Sequence, residues 1–183
     1  MKKIISLFQR NYDGDRKVRN EVTPGAEWVI NGEGDATRKF DGTCCMVRDG
    51  QLYKRYELKR GKQAPEGFEP AQECDPVTGD TPGWLPITEQ DKWHQEALIN
   101  ERHYNGGVVF DGTYELCGPK VQGNPEGYSV HRLVKHGQTI LLDCPRDFEG
   151  IKAYLQARDY EGVVWWRSRD PNCDKVKIKK KDF

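Results

Sequence analysis

Tight Asp-Gly turns between apolar and β-branched runs are the feature that most constrains this fold. Asp-Gly pairs favour type I′ turns, whose two central residues take positive φ angles, and such turns join adjacent antiparallel strands. Three hairpins are predicted, the first two around Asp-Gly pairs and the third around the turn-rich segment SRDPNCD. They comprise Thr43–Arg48 with Gln51–Leu58, Gly107–Phe110 with Thr113–Cys117, and Gly162–Arg167 with Lys175–Lys179. The pattern predicts an α+β fold with mainly antiparallel β-sheets.

Two amphipathic segments are predicted to flank the sheets as helices. The first runs from Thr88 to about Tyr104 and opens with a Thr-x-x-Asp capping pattern. The second runs from Asp147 to about Arg158. Its predicted apolar face comprises Ile151, Tyr154 and Leu155. A chain of 183 residues with five tryptophans has the length and apolar mass for one core, so a single domain is predicted over residues 1–183.

The charge is balanced overall but unevenly distributed. The formal net charge is zero, so the chain as a whole carries no signal for nucleic acid. Lysines are nevertheless concentrated near the C-terminal end, at Lys175, Lys177, Lys179, Lys180 and Lys181. Taken alone, this run is either a solvated tail or a local anion site.

Several function classes lack support in the sequence. The six cysteines include no CxxC pair and no Cys/His quartet at zinc spacing, so they are predicted to be reduced thiols, mostly in strands. The four histidines suggest no catalytic pairing, and a thiol hydrolase is not expected. No apolar segment after Met1 approaches the length of a signal peptide or membrane span, which predicts a cytoplasmic protein without membrane contact.

Residues 61–86 are predicted to form a long Pro/Gly-rich loop between the first hairpin and the first helix. The segment holds five of the ten prolines, and connectors of this length are uncommon in a compact domain. It is a lid over a site, a partner-docking loop or a disordered insertion.

The stretch RKFDGTCC, which contains Lys39, offers a candidate nucleophile. Lys39 and Asp41 would share a face if they lay on one strand, and Gly42 would let the backbone approach a ligand. FDGT recurs later in the chain, but Val109 stands there in place of the lysine. A lysine attacks only as the neutral amine, so its reference pKa of about 10.4 must be lowered by burial or nearby cations. Because Lys-x-Asp-Gly is short, the case for a nucleophile depends on residues further along the chain.

Further candidate groups follow in order. They are Arg55 in QLYKRYELKRG, Glu115 in TYELCGPK, Glu161 in EGVVWW, and Lys177 and Lys179 in KVKIKKKDF. With Lys-x-Asp-Gly, this order resembles nucleotidyltransferase motifs I, Ia, III, IV and V of the covalent lysyl-AMP superfamily, which includes DNA ligases, RNA ligases and mRNA capping enzymes. The continuation into Gly-Thr-Cys-Cys looks most like the small ATP-dependent 5′ to 3′ RNA ligases. The resemblance covers residues 38–183.

The resemblance implies a nucleotidyltransferase (adenylation) domain of ligase type that uses ATP and Mg²⁺ or Mn²⁺. It implies that Lys39 forms a phosphoramide with AMP and that Asp41 orients the lysine and its metal. Arg55 would contact the ribose and phosphates. The neighbouring alternatives for that role are Lys54, Lys59 and Arg60.

The later motifs imply the remaining ligands. Glu115 would contact the ribose or a metal, and Glu161 would bind the catalytic metal. Lys177 and Lys179 would neutralise the α-phosphate and depress the pKa of Lys39. The resemblance assigns no aromatic residue of this chain to stacking on adenine.

One difference separates the members of the superfamily. DNA ligases and capping enzymes generally continue past the last motif into an OB-fold domain, whereas four residues follow Lys179 here. The resemblance therefore implies an RNA ligase without an OB-fold domain that acts on RNA 5′-phosphate and 3′-hydroxyl ends. Residues 61–86 and the basic tail are candidates for holding the RNA. The alternatives are a catalytically inactive nucleotide or RNA-end binding module, and an enzyme that transfers AMP to a non-RNA acceptor.

Overall fold

The computed structural model describes residues 1–170 and 172–183 and confirms the predicted α+β class, with mostly antiparallel sheets and few helices. The strands are β1 (Ile5–Ser6), β2 (Phe8–Arg10), β3 (Val18–Val22), β4 (Asp35–Lys39), β5 (Thr43–Arg48), β6 (Gln51–Leu58), β7 (Glu69–Pro70), β8 (Thr81–Pro86), β9 (Gly112–Cys117), β10 (Arg132–Lys135), β11 (Gly162–Trp166) and β12 (Lys175–Lys179). The helices are α1 (Glu27–Ile30), α2 (Lys92–Tyr104) and α3 (Phe148–Gln156), and a 3₁₀ turn spans Lys180–Asp182.

The chain divides into two compact units. Unit 1 comprises Met1–Lys3 and Asp41–His136, and unit 2 comprises Ile4–Phe40 and Gly137–Phe183. Each unit has its own sheet and its own cluster of buried apolar side chains. The single domain predicted over residues 1–183 stays a prediction.

Unit 1 is built on a six-stranded antiparallel sheet in the order β10-β9-β5-β6-β8-β7. One face packs with Ala97 of α2 into an apolar cluster. Its other buried members are Cys45, Val47, Leu52, Tyr114, Leu116, Val121 and Leu133. Alternate strand residues share a face, so Cys44, Arg55 and Glu115 lie on the opposite face.

Unit 2 is built on a four-stranded sheet in the order β1-β12-β11-β4, in which β1 and β12 are parallel and the other pairs antiparallel. A separate hairpin, β2-β3, and helix α3 contribute to the same apolar core. The core residues from the three main strands are Ala36, Val163, Trp165, Val176 and Ile178. Strand residues at an odd spacing from these core residues lie on the other face of the sheet, and they include Lys39, Lys177 and Lys179.

Two of the predicted hairpins are confirmed. In the first, β5 and β6 flank Asp49 and Gly50, whose φ angles of 53° and 72° fit a type I′ turn. In the third, β11 pairs with β12, although the predicted connecting segment includes residue 171, which lies outside the described residues.

The second predicted hairpin is wrong. Within the described residues, 107–110 form no strand, and β9 begins at Gly112 and pairs with β5 and β10. Gly106 and Gly107 take positive φ angles directly after α2, and the Gly107 N–H donates to the carbonyl of Arg102. The glycine pair ends the helix, and the apolar residues after it belong to the helix-to-strand connection.

The two predicted long helices are present, with one different boundary. Asp147 caps α3 by accepting from the Gly150 N–H, and the predicted apolar face of this helix is buried. Helix α2 begins at Lys92 and not at Thr88. The Asp91 carboxylate accepts from both the N–H and the hydroxyl of Thr88, which makes a hydrogen-bonded turn ahead of the helix.

Part of the segment predicted as a long loop is regular structure. Residues 69–70 form β7, and β8 pairs with β6 along its whole length. A lid function for residues 61–86 stays a prediction. All six cysteines are free, as predicted, but only Cys44, Cys45 and Cys117 lie in strands. Across the part of the chain that the structure describes, no helix has the length and apolar composition needed to span a bilayer.

Candidate functional site

The strand register of unit 2 brings four predicted site residues together. Lys39 is the last residue of β4 and Lys179 the last of β12, and both are register partners of Gly162 on the central strand β11. Lys177 lies two residues before Lys179 on the same face of β12. Glu161 immediately precedes β11, so its side chain is at the same end of the sheet as the two lysines.

Glu161 bridges two lysines. Its Oε2 accepts from Nζ of Lys39, and its Oε1 lies 2.5 Å from Nζ of Lys179. The side chains are 19% (Lys39), 24% (Lys179) and 11% (Glu161) exposed, so water screens the cluster only partly. Burial raises the pKa of Glu161, but the charge of Lys39 and the hydrogen bonds from both lysines outweigh that effect and hold the pKa below its ordinary value.

Lys177 adds a third cation to the cluster. Burial lowers the pKa of Lys177, and the like charges of Lys179 and Lys39 lower it further. The carboxylates that act on Lys177 are Glu161 and Asp182, so three lysines face two carboxylates. An excess of positive charge in a partly buried place is suited to binding an anion such as a phosphate.

Gly162 allows this close arrangement. A Cβ at this position would lie 2.1 Å from the carbonyl oxygen of Ile178 and 2.9 Å from Cα of Lys179. Both atoms are backbone and cannot rotate away. The glycine after Glu161 is thus required for β11 to approach β12.

Arg38 is a feature that the sequence did not reveal. Its guanidinium lies 4.6 Å from the ring centroid of Phe40 and 4.4 Å from that of Tyr160. Phe40 follows Lys39 in the chain, and Tyr160 precedes Glu161. Arg38 therefore links the two backbone segments that carry the Lys39–Glu161 pair, through cation–π contacts.

Asp41 belongs to unit 1, whereas Lys39 belongs to unit 2. The shared strand face considered for these residues does not occur, because β4 ends at Lys39 and β5 begins at Thr43. The Asp41 N–H donates to Oε1 of Glu126. A Cβ on Gly42 would lie 2.2 Å from the carbonyl oxygen of Leu116, so this glycine is needed for close approach to β9.

Glu115 is nearly buried in unit 1 and is held by a histidine. His136 Nε2 lies 2.8 Å from Oε2 of Glu115, and its Nδ1 lies 3.0 Å from the hydroxyl of Thr113. No contact between His136 and Glu115 was predicted from the sequence, and the absence of a catalytic histidine pair stays a prediction. The signal was the register of β10 on β9, which places His136 beyond Lys135 and opposite Thr113.

Arg55 lies in the same row of unit 1 as Glu115. Glu115 is the register partner of Cys44 on β5. The β5-β6 register pairs Cys45 with Lys54, which places the next residue of β6, Arg55, across from Cys44. The Arg55 guanidinium donates to the carbonyl of Met1 at 2.7 Å and lies 4.9 Å from the Trp84 ring. Burial lowers the pKa of Arg55 from its ordinary value.

Two of the alternatives to Arg55 bind carboxylates within unit 1. Both carboxylate oxygens of Asp91 accept from Lys54, at 2.7 and 2.9 Å. Lys59 donates to Glu57 and Asp80, each at 2.8 Å. These ion pairs favour Arg55 over either lysine as the group available to a ligand.

The predicted metal ligands are Asp41 and Glu115 in unit 1 and Glu161 in unit 2. Among residues 1–170 and 172–183, no group of three or more His, Cys, Asp or Glu side chains is placed to hold a metal ion. Of the predicted metal ligands, Glu161 is the one in unit 2, and both of its carboxylate oxygens are bonded to lysines. These residues alone do not form a metal site. They fit Mg²⁺ only when nucleotide phosphates supply the other ligands, a common mode of Mg²⁺ binding.

Comparisons with known proteins give one consistent result. No protein-family model matches the chain. RNA ligase 1 of Rattus norvegicus is 29% identical over 71% of this chain. RNA ligase 1 of Pongo abelii is 27% identical over 70%, and that of Danio rerio is 26% identical over 71%. The chain spans 62% of the length of each of these relatives. The similarity supports a relationship with RNA ligases.

Proposed function

We propose that this protein is an ATP-dependent RNA ligase with a ligase-type nucleotidyltransferase fold. It joins an RNA 5′-phosphate to a 3′-hydroxyl through a lysyl-AMP intermediate on Lys39. The observation that carries the proposal is the cluster in unit 2, where Glu161 bridges Lys39 and Lys179 beside Lys177. The names of the similar proteins support the same reaction class.

The first step is the self-adenylylation of Lys39. The lone pair of Nζ attacks the α-phosphorus of ATP, the P–N bond forms, and the bond from phosphorus to the pyrophosphate oxygen breaks. Glu161 orients Nζ through their hydrogen bond, so the amine is held at one position before attack. Nζ loses one proton to solvent to become the neutral amine and a second as the P–N bond forms, so the phosphoramide keeps one N–H.

The neighbouring lysines stabilise the transition state. Negative charge grows on the phosphate oxygens as pyrophosphate leaves, and Lys177 and Lys179 are fixed in position beforehand on β12. Because Glu161 is the only carboxylate in the bridge, the cluster keeps a net positive charge toward a nucleotide. Mg²⁺, when bound with the nucleotide, would add further neutralisation, with Glu161 as its protein ligand in this unit.

The later steps transfer AMP and close the RNA strand. A 5′-phosphate oxygen of RNA attacks the lysyl-AMP phosphorus, and the P–N bond breaks to restore Lys39. A 3′-hydroxyl then attacks the activated 5′-phosphate and releases AMP. Within unit 1, the proposal keeps for Asp41, Arg55 and Glu115 the contacts that the resemblance implies.

The test is a gel assay with a 5′-phosphorylated RNA and its complementary splint, ATP and Mg²⁺. Wild-type protein is expected to produce joined RNA, and Lys39→Arg to produce none, because an arginine retains the charge but is not a nucleophile at neutral pH. The control is Lys92→Arg, the same change at an exposed lysine of unit 1, which should leave sealing intact. Sealing by Lys39→Arg would refute the proposal.

The alternatives give different results in the same assay. An inactive binding module would bind ATP or RNA ends without forming an adduct. An enzyme with a non-RNA acceptor would form the adduct but would not discharge it onto 5′-phosphorylated RNA.

A further inference from the structure

A second basic surface lies in unit 2, away from the residues named so far in the proposed reaction. It is formed by the β2-β3 hairpin from Arg10 to Arg19 and by the 3₁₀ turn Lys180–Asp182. We call it the basic hairpin surface. The turn follows β12 directly, so this surface begins where the strand bearing Lys177 and Lys179 ends.

The surface is held in shape by hydrogen bonds that use only part of its charge. Arg10 donates to the Asp182 carboxylate at 2.6 Å and to the Arg16 carbonyl at 2.8 Å, which fastens the hairpin loop to the turn. Nζ of Lys17 donates to the carbonyl of Lys181 at 2.9 Å. The carbonyl carries no formal charge, so the positive charge of Lys17 is not neutralised by this contact.

Cations outnumber carboxylates on this surface. The cations are Arg10, Arg16, Lys17, Arg19, Lys180 and Lys181, and the carboxylates are Asp13, Asp15 and Asp182. Asp182 is buried and bonded to Arg10, and Asp15 pairs with Arg19. Neither of these two ion pairs includes Arg16, Lys17 or Lys181, and all three residues are exposed. The surface therefore presents positive charge to solvent.

Two features of the loop that joins β2 and β3 favour a ligand-binding role. Arg16 has a φ angle of 58°, a left-handed conformation that costs an ordinary L-residue roughly 1–2 kcal/mol and that a glycine would adopt freely. An arginine at such a position favours a role for its side chain. Tyr12, at the start of the same loop, is 75% exposed and is the most exposed aromatic side chain of unit 2 in the described residues.

We infer that the basic hairpin surface binds the sugar–phosphate backbone of single-stranded RNA, with Tyr12 stacking on a base. Grooves that bind single strands combine cations for phosphates with aromatic rings for bases, which is the combination seen here. The inference rests on the proposed function, because it identifies where the RNA substrate of that reaction is held. Because the 3₁₀ turn follows β12 directly, an RNA strand bound to this surface would extend toward the Lys39 cluster.

The first experiment measures the salt dependence of RNA binding. The probe is a single-stranded RNA with a 5′-phosphate and a 3′ fluorophore. Its fluorescence anisotropy is measured as the full chain is added, at a series of KCl concentrations. Each phosphate contact on a single strand contributes about 0.7 to the slope of log K against log salt. The variant Lys17→Gln/Lys181→Gln should bind about tenfold more weakly at moderate salt, with a slope shallower by about 1.4.

The matched control removes the same charge elsewhere. Lys2→Gln/Lys92→Gln changes two exposed lysines of unit 1 and should keep the wild-type affinity and slope. Thermal unfolding of both double variants should resemble that of the wild type because all four side chains are exposed. Equal loss of RNA binding in the two double variants would overturn the inference.

The second experiment isolates stacking from charge. Tyr12→Ala should weaken RNA binding about fivefold or more without changing the salt slope, because stacking releases no counterions. Tyr12→Phe should bind as the wild type does. An unchanged affinity in Tyr12→Ala, or binding of phosphatidylserine vesicles in place of RNA, would contradict the RNA surface.

Self-adenylylation separates this inference from the proposed function. Both surface variants should form the adduct with ATP at the wild-type rate, because they leave the Lys39 cluster unchanged. If the adduct forms and the surface variants bind RNA normally, the inference fails and the proposed function stands. If no protein forms the adduct but the variants lose RNA binding, the proposed function fails and the surface stands.

Discussion

Replacement of Gly162 by alanine tests whether strand spacing controls the candidate site. The new Cβ would lie 2.1 Å from the Ile178 carbonyl oxygen, although such contacts are ordinarily 3.4–4 Å. Because the obstructing atoms are backbone, β11 and β12 must move apart by about 1 Å. Overpacking of this kind costs about 1–3 kcal/mol. For a chain of this length that range corresponds to a fall in melting temperature of roughly 2–12 °C.

The same displacement should affect the chemistry. Gly162 is the register partner of both Lys39 and Lys179, so moving it separates Glu161 from the lysines it bridges. We expect Gly162→Ala to lose most ATP-dependent adduct formation, measured by intact mass, as well as thermal stability, measured by calorimetry.

Val164→Ala is the matched control for lost stability. Val164 is buried, lies on the same face of β11 as Gly162 and is the register partner of Lys177. Its truncation creates a small cavity without a steric clash. It should cost about 2 kcal/mol and retain adduct formation. A Gly162→Ala protein with wild-type stability and activity would refute the reasoning, as would equal loss of activity in both variants.

Three further predictions concern single groups. Arg38→Leu removes cation–π contacts with two aromatic rings, so it should lower the free energy of unfolding in denaturant by about 1–2 kcal/mol. It should also slow adduct formation. Arg38→Lys should be intermediate in both measurements. His136→Ala leaves the nearly buried Glu115 carboxylate without that hydrogen-bond partner and should lower the free energy of unfolding by about 1–3 kcal/mol. His136→Gln should have a smaller effect. Equal stability of the wild type and both variants would contradict this prediction. The pKa of Glu161 is lowered on folding, so its stabilising contribution is complete above the ordinary value of 4.5 and is lost as the pH falls through the lowered folded value. The melting difference between wild type and Glu161→Gln should therefore shrink on acidification, and a difference that grows would contradict this assignment.

Local patterns in the sequence predicted much of the strand structure. The Asp49-Gly50 turn fixed its hairpin because both residues accept positive φ angles. The strand predicted at residues 107–110 is absent because the same glycine signal that can bound a strand also ends a helix. Both readings fit the sequence, and only the packing of α2 on the sheet selects one.

Four of the predicted site residues meet in unit 2, but their contacts could not be predicted from the sequence. The order of Glu161, Lys177 and Lys179 follows from strand patterns, and their meeting with Lys39 depends on β4 pairing with β11 across the chain. Long-range pairing of this kind leaves no local signal. The contact between His136 and Glu115 was missed for that reason, since it requires the register of β10 on β9.

The most direct test of the central claim is the intact mass of the wild-type protein after incubation with ATP and Mg²⁺ in the absence of nucleic acid, followed by peptide mapping. The account predicts the gain of one adenylyl group on the peptide that contains Lys39, and the loss of that group when 5′-phosphorylated RNA is added. A protein that binds ATP but stays at its unmodified mass, or that carries the group on another residue, would contradict it.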